Sequence, residues 1–187
     1  MIVLASQSPR RRQLLSEAGV DFLADSARGD EAAWDGVISP EEYTRGLAVA
    51  KATEVSLRHP GALTIGADTV VALENRIYGK PADMADAVRM LKEFSGREHR
   101  VVTGVAFVQD GVEMRSWCSV TQVRFLELSE ERIQEYFALV NPLDKAGAYG
   151  IQEHGRMLVE SIRGLYSNVV GFPIEEVMNE LRDRKAL

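Results

Sequence analysis

Apolar and polar positions along the chain change period several times, and each change marks an element. Ile2 to Ala5 is a short apolar strand, followed by a polar turn and a helix that runs to about Ala18 and stops at Gly19. Ser8 suits the N-cap of that helix and Pro9 its first position, where a missing N–H costs nothing. Phe22 to Ala27 reads as a second short strand. Ser39-Pro40-Glu41-Glu42 forms a capping box, and the helix it starts carries Tyr43, Leu47 and Ala50 on one face until about Arg58. Gly61 to Leu73 is the most continuously apolar stretch and predicts a central, buried strand. After a turn at Glu74-Asn75-Arg76 and a short return at Ile77-Tyr78, Asp83 caps a third helix with Met84, Val88, Leu91 and Phe94 inward, ended by Ser95-Gly96. His99 to Gln109 and Val112 to Phe125 predict two long strands, with Asp110-Gly111 as their hairpin turn. Ser129 caps a fourth helix with Ile133, Phe137 and Val140 inward, ended by Asn141-Pro142. A loop with two glycines, Leu143 to Gln152, precedes a strand at Met157 to Ile162, and Pro173 opens a last helix with Ile174, Val177, Met178 and Leu181 on its apolar face. Strands and helices mix without strict alternation, which predicts an α/β fold: a mixed sheet flanked by helices.

Composition narrows the class. The 187 residues suffice for one domain with a real core, and 45% hydrophobic with 27% charged residues is ordinary globular composition. A net charge of −6 argues against a general nucleic-acid surface. Against that background the basic cluster Arg10-Arg11-Arg12 is focused, which suits a small anionic ligand. Cys118 is the only cysteine, so no intrachain disulfide forms, and its place in a strand reads as core or edge filler. No secretory pattern opens the chain and no run approaches a membrane span, so no membrane partner and a cytoplasmic location are expected.

The candidate chemistry lies at strand ends and in glycine-bearing loops. Three arginines crowd the first turn of the first helix, where the macrodipole is already positive. A bound anion would relieve that conflict, although an ordinary surface cluster on a strand–helix corner explains the residues equally well. Asp30 and Glu31 are adjacent carboxylates in a polar loop, and Lys51 is a single lysine beyond the middle of a helix. Asp68 interrupts the buried strand, so it must be paired, hydrogen-bonded or metal-bound. Lys80 is held between Gly79 and Pro81, and Lys145 and Gln152 lie in the polar loop. His99, placed at the exposed start of its strand without a partner histidine, reads as structural. Ser6, Arg10, Arg11, Glu31, Lys51, Asp68, Lys80, Lys145 and Gln152 together suit a polyphosphate with a hard divalent cation. Walker, nucleophile-elbow and zinc spacings are absent, which favours metal-assisted attack on a phosphoanhydride.

These residues resemble the Maf family of nucleoside triphosphate pyrophosphatases. The similarity is carried by Leu4-Ala5-Ser6 with Ser8-Pro9-Arg10-Arg11, Asp30-Glu31, Lys51-Ala52, Gly66-Ala67-Asp68-Thr69, Gly79-Lys80-Pro81 and Asp144 to Gln152, spread over residues 2 to 180 in family order. The resemblance implies a single Maf-like domain over residues 1–187, with an elongated mixed sheet and two lobes around a deep cleft. It implies hydrolysis between the α and β phosphates. Ala50, where many relatives carry an acid, and His154, just after Gln152, depart from the pattern.

The resemblance also points to the branch acting on dTTP and UTP, through Arg10, Thr69 and Gln152. The local chemistry agrees: the Gln152 amide can accept from N3–H of uracil or thymine and donate to O4. The roles implied are Asp68 as general base and metal neighbour, Glu31 as a second metal ligand, Arg11, Lys51 and Lys80 on the phosphates, and Ser6 as a hydrogen-bond donor to one of them. Mg²⁺ or Mn²⁺ is the expected cofactor. A house-cleaning pyrophosphatase for other modified nucleotides, or a nucleotide-binding regulator of septum formation, are the alternatives. Relatives are often homodimers, and no stretch of this sequence identifies an interface.

Overall fold

A computed structural model describes residues 1–29, 33–74 and 76–186. Its centre is the apolar stretch expected to be buried, now β3 (Leu63–Leu73), which is paired along both edges except at one place. On one side it runs antiparallel to β5 (Glu98–Gln109) from Leu63 to Ala72. On the other side it is parallel to β1 (Ile2–Ala5), with Ala5 opposite Gly66, and antiparallel to β4 (Arg76–Tyr78), with Val71 opposite Tyr78. Residues 67–70 therefore face no strand on that edge. β2 (Phe22–Asp25) lies parallel to β1, β6 (Val112–Phe125) pairs with β5, and β7 (Val159–Arg163) pairs with the end of β6. The result is a seven-stranded mixed sheet in the order β2-β1-β3-β5-β6-β7, with β4 on β3. The Asp110-Gly111 turn has both residues at positive φ (51° and 79°), as a two-residue hairpin with right-handed twist requires.

The helices carry the predicted caps. Ser8 accepts from the Arg11 N–H at the start of α1 (Pro9–Glu17), and Ser39 and Glu42 close both halves of the capping box on α2 (Pro40–Ser56). Each such cap stabilises its helix by about 1 kcal/mol. Asp83 and Ser129 cap α3 (Met84–Phe94) and α4 (Glu130–Leu139). α5 (Tyr166–Val170), which the sequence pattern does not announce, precedes α6 (Ile174–Asp183). Among the described residues no helix is long and apolar enough to cross a membrane.

Two apolar clusters hold the helices to the sheet. Leu4, Leu15, Ile65, Phe107, Phe172 and Leu181 join α1 and α6 to it, and Leu91, Phe94, Phe125, Ile133, Tyr136 and Leu158 join α3 and α4. α2 approaches the sheet more closely than either. A Cβ on Gly66 would lie 2.2 Å from the Ala48 carbonyl oxygen, and one on Gly104 2.3 Å from that of Thr44. Those glycines bring the α2 backbone onto β3 and β5, and this closeness puts Lys51 within reach of β3.

Several sequence expectations need correction. The buried face of α2 is Thr44, Leu47, Ala48, Ala52 and Val55, whereas Ala50 is exposed and Tyr43 half-buried. Met84 is exposed, and Ala87 and Met90 take its place inward on α3. Tyr136, rather than the half-buried Phe137, fills the core from α4. His99 is not at an exposed strand start: only 1% of it is accessible, and it stacks on Phe94 and meets Phe125 and Tyr149 edge-on. Burial pushes its imidazole down to about 3, so the ring is neutral. Its Nε2 lies 2.8 Å from the Tyr149 hydroxyl, while Nδ1 has no partner among the described residues.

Candidate active site

The unpaired edge of β3 at residues 67–70 opens into a cleft of about 1160 Å³. Ser6, Arg10, Arg11, Lys51, Asp68, Thr69, Lys80 and Gln152 all line it, although they come from α1, α2, β3 and three separate loops. The remaining predicted site residue, Glu31, lies with Asp30 outside the described residues.

The cleft floor is a network of charge-assisted hydrogen bonds. Lys51 Nζ donates to Asp68 Oδ1 at 2.6 Å, with side chains 16% and 12% exposed. Pairing answers the problem the sequence posed, since a bare carboxylate in a buried strand would be too costly. Among the described residues no hydrogen bond reaches Asp68 Oδ2, so one oxygen of the carboxylate is open to a proton or a cation. Arg11 turns inward. Its Nε donates to the Gly171 carbonyl (2.9 Å), Nη1 to the Ala67 carbonyl (2.8 Å) and Ser6 Oγ (3.3 Å), and Nη2 to Thr69 Oγ1 (2.9 Å). The Ala67 carbonyl sits on the edge of β3 where no strand pairs, and Arg11 satisfies it in place of a strand. Arg11 thus braces the gap as well as charging it, a double duty that its position in a basic cluster did not reveal.

Ser6 is buried, and its Oγ accepts from the Ser8 N–H (3.2 Å) and from Arg11. With both acceptor positions used, its O–H is left as a donor toward the cleft. Thr69 is more committed: its hydroxyl also meets Thr103 Oγ1 (3.0 Å) and the Gly171 carbonyl (3.2 Å). That engagement makes it a positioning group for Arg11 before it is a reader of any base. Lys80 and Gln152 are exposed on the opposite wall with no hydrogen bond to other described residues. Their loops are joined by the Gly147 N–H, which donates to the Gly79 carbonyl at 2.9 Å. Lys145, counted among the cations for a polyphosphate, is instead buried and paired inside its own loop with Asp144 and Glu153.

The sequence pattern missed four contributors, Tyr43, Leu47, Glu54 and Trp34. Tyr43, Leu47, Lys51 and Glu54 lie three or four residues apart and all line the cleft, so helical spacing from Lys51 was the available signal. Glu54 accepts from the N–H groups of Arg28 (2.9 Å) and Gly29 (3.5 Å), which fixes the chain leading from β2 along the cleft wall. Trp34 also lines the cleft and donates through Nε1 to the Ile38 carbonyl at 2.9 Å; no period or cap in the sequence marks it.

No group of three or more His, Cys, Asp or Glu side chains among the described residues forms a metal cage. The donor set still fits a hard divalent ion of the kind held by one or two carboxylates, water and substrate phosphates, because Asp68 Oδ2 lines the cleft without a hydrogen bond from the described residues.

Residues 1–184 match the family model described as Maf-like protein. The chain is 46% identical over 180 residues to a dTTP/UTP pyrophosphatase of Symbiobacterium thermophilum, covering 96% of this chain and 92% of the relative. It is 48% identical over 175 residues to one of Thermococcus gammatolerans, covering 94% and 92%. A solved HAM1 protein from Coxiella burnetii shares the fold, with a TM-score of 0.54 at 13% identity and coverage of 97% and 98%.

Proposed function

This chain belongs to the Maf-like protein family, and from that premise we propose that it is a cytoplasmic, divalent-metal-dependent pyrophosphatase for dTTP and UTP. The reaction adds water to the α–β phosphoanhydride and releases the nucleoside monophosphate and pyrophosphate. The observation that carries the reading is the Lys51–Asp68 pair at the unpaired edge of β3, facing Lys80 and Gln152 across one cleft.

In this reading the α1 and β3 wall handles the phosphates. The open oxygen of Asp68 takes the proton of the attacking water, and Lys51 fixes the orientation of that carboxylate while adding positive charge beside the phosphates. Ser6 donates its O–H to a phosphate oxygen. Lys80, a point charge on a flexible stem without a partner among the described residues, meets the phosphates from the other side. A divalent cation neighbouring Asp68, with Glu31 helping to hold it, would supply charge neutralisation when bound. Gln152 and Arg10 face the base, where the Gln152 amide complements N3–H and O4 of a pyrimidine.

The test is a panel of nucleoside triphosphates with Mg²⁺ or Mn²⁺, or with chelator, in which monophosphate and pyrophosphate are both quantified. Equal yields of the two products, highest efficiency with dTTP and UTP, and loss of turnover with chelator are expected. Release of inorganic phosphate and a diphosphate would overturn the bond assignment. Equal efficiency on all bases would overturn the assignment of Gln152 and Arg10.

A further inference from the structure

Lys145 is costly for its place. Its side chain is 4% exposed, in a loop one residue from solvent-exposed neighbours, and a buried ammonium destabilises unless every proton is matched. Here it is matched. Nζ donates to the Asn141 carbonyl (2.8 Å) and Asp144 Oδ1 (2.8 Å), and Glu153 Oε2 lies 3.2 Å away. The stem passes so close to Gly150 that a Cβ there would lie 3.0 Å from Lys145 Cε. Gly150 is itself held, because its N–H donates to the Tyr136 hydroxyl at 3.0 Å. Tyr149 is held by His99.

These contacts surround Gln152. Asn141 and Asp144 precede it, Glu153 follows it directly, and one ammonium ties all three. Asp144 is held as a carboxylate by this pairing. Burial raises its carboxyl, but the Lys145 hydrogen bond and charge, joined by the charge of Arg10, bring it below the ordinary carboxylate value. The Lys145 network thus brackets Gln152 along the chain, between Asp144 and Glu153.

Resting on the reading of the cleft as a pyrimidine nucleotide site, we propose that Lys145 is a positioning residue for base selection, which fixes the Gln152 loop and does not touch phosphate. Its removal loosens the loop and lowers discrimination between bases, whereas removal of a phosphate ligand slows every nucleotide alike.

The test compares wild type with Lys145→Met, Gly150→Ala and Lys80→Ala. It reads kcat and KM for UTP, dTTP, CTP and GTP with Mg²⁺, affinities for UMP and GMP, and melting temperature. Lys145→Met should lower kcat/KM for UTP and dTTP by about tenfold, the scale of one misplaced hydrogen bond in a closed site, mostly through KM. CTP and GTP should change less, so the preference ratio falls. Gly150→Ala, which presses on the Lys145 stem, should lower the ratio in the same direction and carries the test if Lys145→Met does not fold. An equal loss on all four nucleotides, matching Lys80→Ala, would overturn the proposal, as would an unchanged ratio in both loop variants. If wild type releases no pyrophosphate from UTP or dTTP, the functional reading fails separately. The UMP-to-GMP affinity ratio then decides the role of Lys145: a fall supports it and no change overturns it.

Discussion

The two walls of the cleft are built by opposite means. On the wall formed by β1, α1, α2 and β3, the functional side chains are themselves tied down: Lys51 to Asp68, Arg11 to two carbonyls and two hydroxyls, and Ser6 to Arg11 and the Ser8 N–H. On the wall formed by the Gly79-Lys80 turn and the 144–153 loop, the backbone is tied down and Lys80 and Gln152 remain exposed. The difference suits two tasks. Groups that meet developing charge work best when already oriented, since no reorganisation is then needed during the reaction. Gln152, the group assigned to the base on the other wall, needs a fixed origin and free polar atoms, because specificity arises from whichever hydrogen bonds the ligand completes, whereas Lys80 beside it meets phosphate as a point charge and needs no fixed geometry.

The contrast can be broken first at Asp68. Asp68→Asn keeps the volume and loses the base, so kcat should fall by at least about 10²-fold while circular dichroism and melting remain close to wild type. A folded variant with nearly full activity would remove Asp68 from the chemistry. Arg11→Lys keeps the charge but not the fork that satisfies Ala67 and Gly171. It should lower stability by about 2 kcal/mol, as carbonyls are left unpaired, in a denaturant titration. If Arg11→Lys melts like wild type, the brace across the β3 gap is not needed.

The opposite wall should respond in kinetics and not in stability. Lys80→Ala should reduce kcat/KM by about tenfold, and by a similar factor for every base, since phosphate carries no base identity. Gln152→Glu should reduce UTP and dTTP use by about tenfold while sparing CTP and GTP, because the carboxylate loses the donor to O4. Efficiencies that fall together across all four nucleotides would place Gln152 outside base recognition.

The smallest effect concerns the β2 end of the first wall. The His59 hydrogen bond foremost, opposed by burial and helped by the Ser26 N–H and Arg58, lowers the Asp25 carboxyl from 3.8 to about 2. Its folded value is depressed, so its stabilisation is complete above about pH 3.8 and is lost as pH falls toward 2. Partial exposure keeps the amount to roughly 1 kcal/mol or less. Asp25→Asn should flatten the acid limb of a stability–pH curve in that window and leave turnover at neutral pH unchanged.

Much of this architecture could be read from the chain because its causes are local. Capping residues mark helix starts, a two-residue Asp-Gly turn marks a hairpin, and a carboxylate in an apolar run demands a partner, whatever the rest of the molecule does. Ser6, Arg10, Arg11, Lys51, Asp68, Lys80 and Gln152 were marked by residue type and place, and Thr69 by the family resemblance, before their meeting place was known, and the cleft collects all eight. What only the tertiary structure decided is which charge answers which. Lys51 and Lys145 look alike in sequence, yet one pairs with Asp68 because Gly66 and Gly104 let α2 settle on the sheet, and the other is buried in its own loop. His99 reads as a strand-end residue, but α3 and the Tyr149 loop cover it. Burial and pairing depend on residues distant in the chain, and no local period encodes them. The unpaired edge of β3 is of the same kind. It exists because β1 ends opposite Gly66 and β4 ends, at Tyr78, opposite Val71, a register set by three strands together, and it leaves Asp68 open to the cleft.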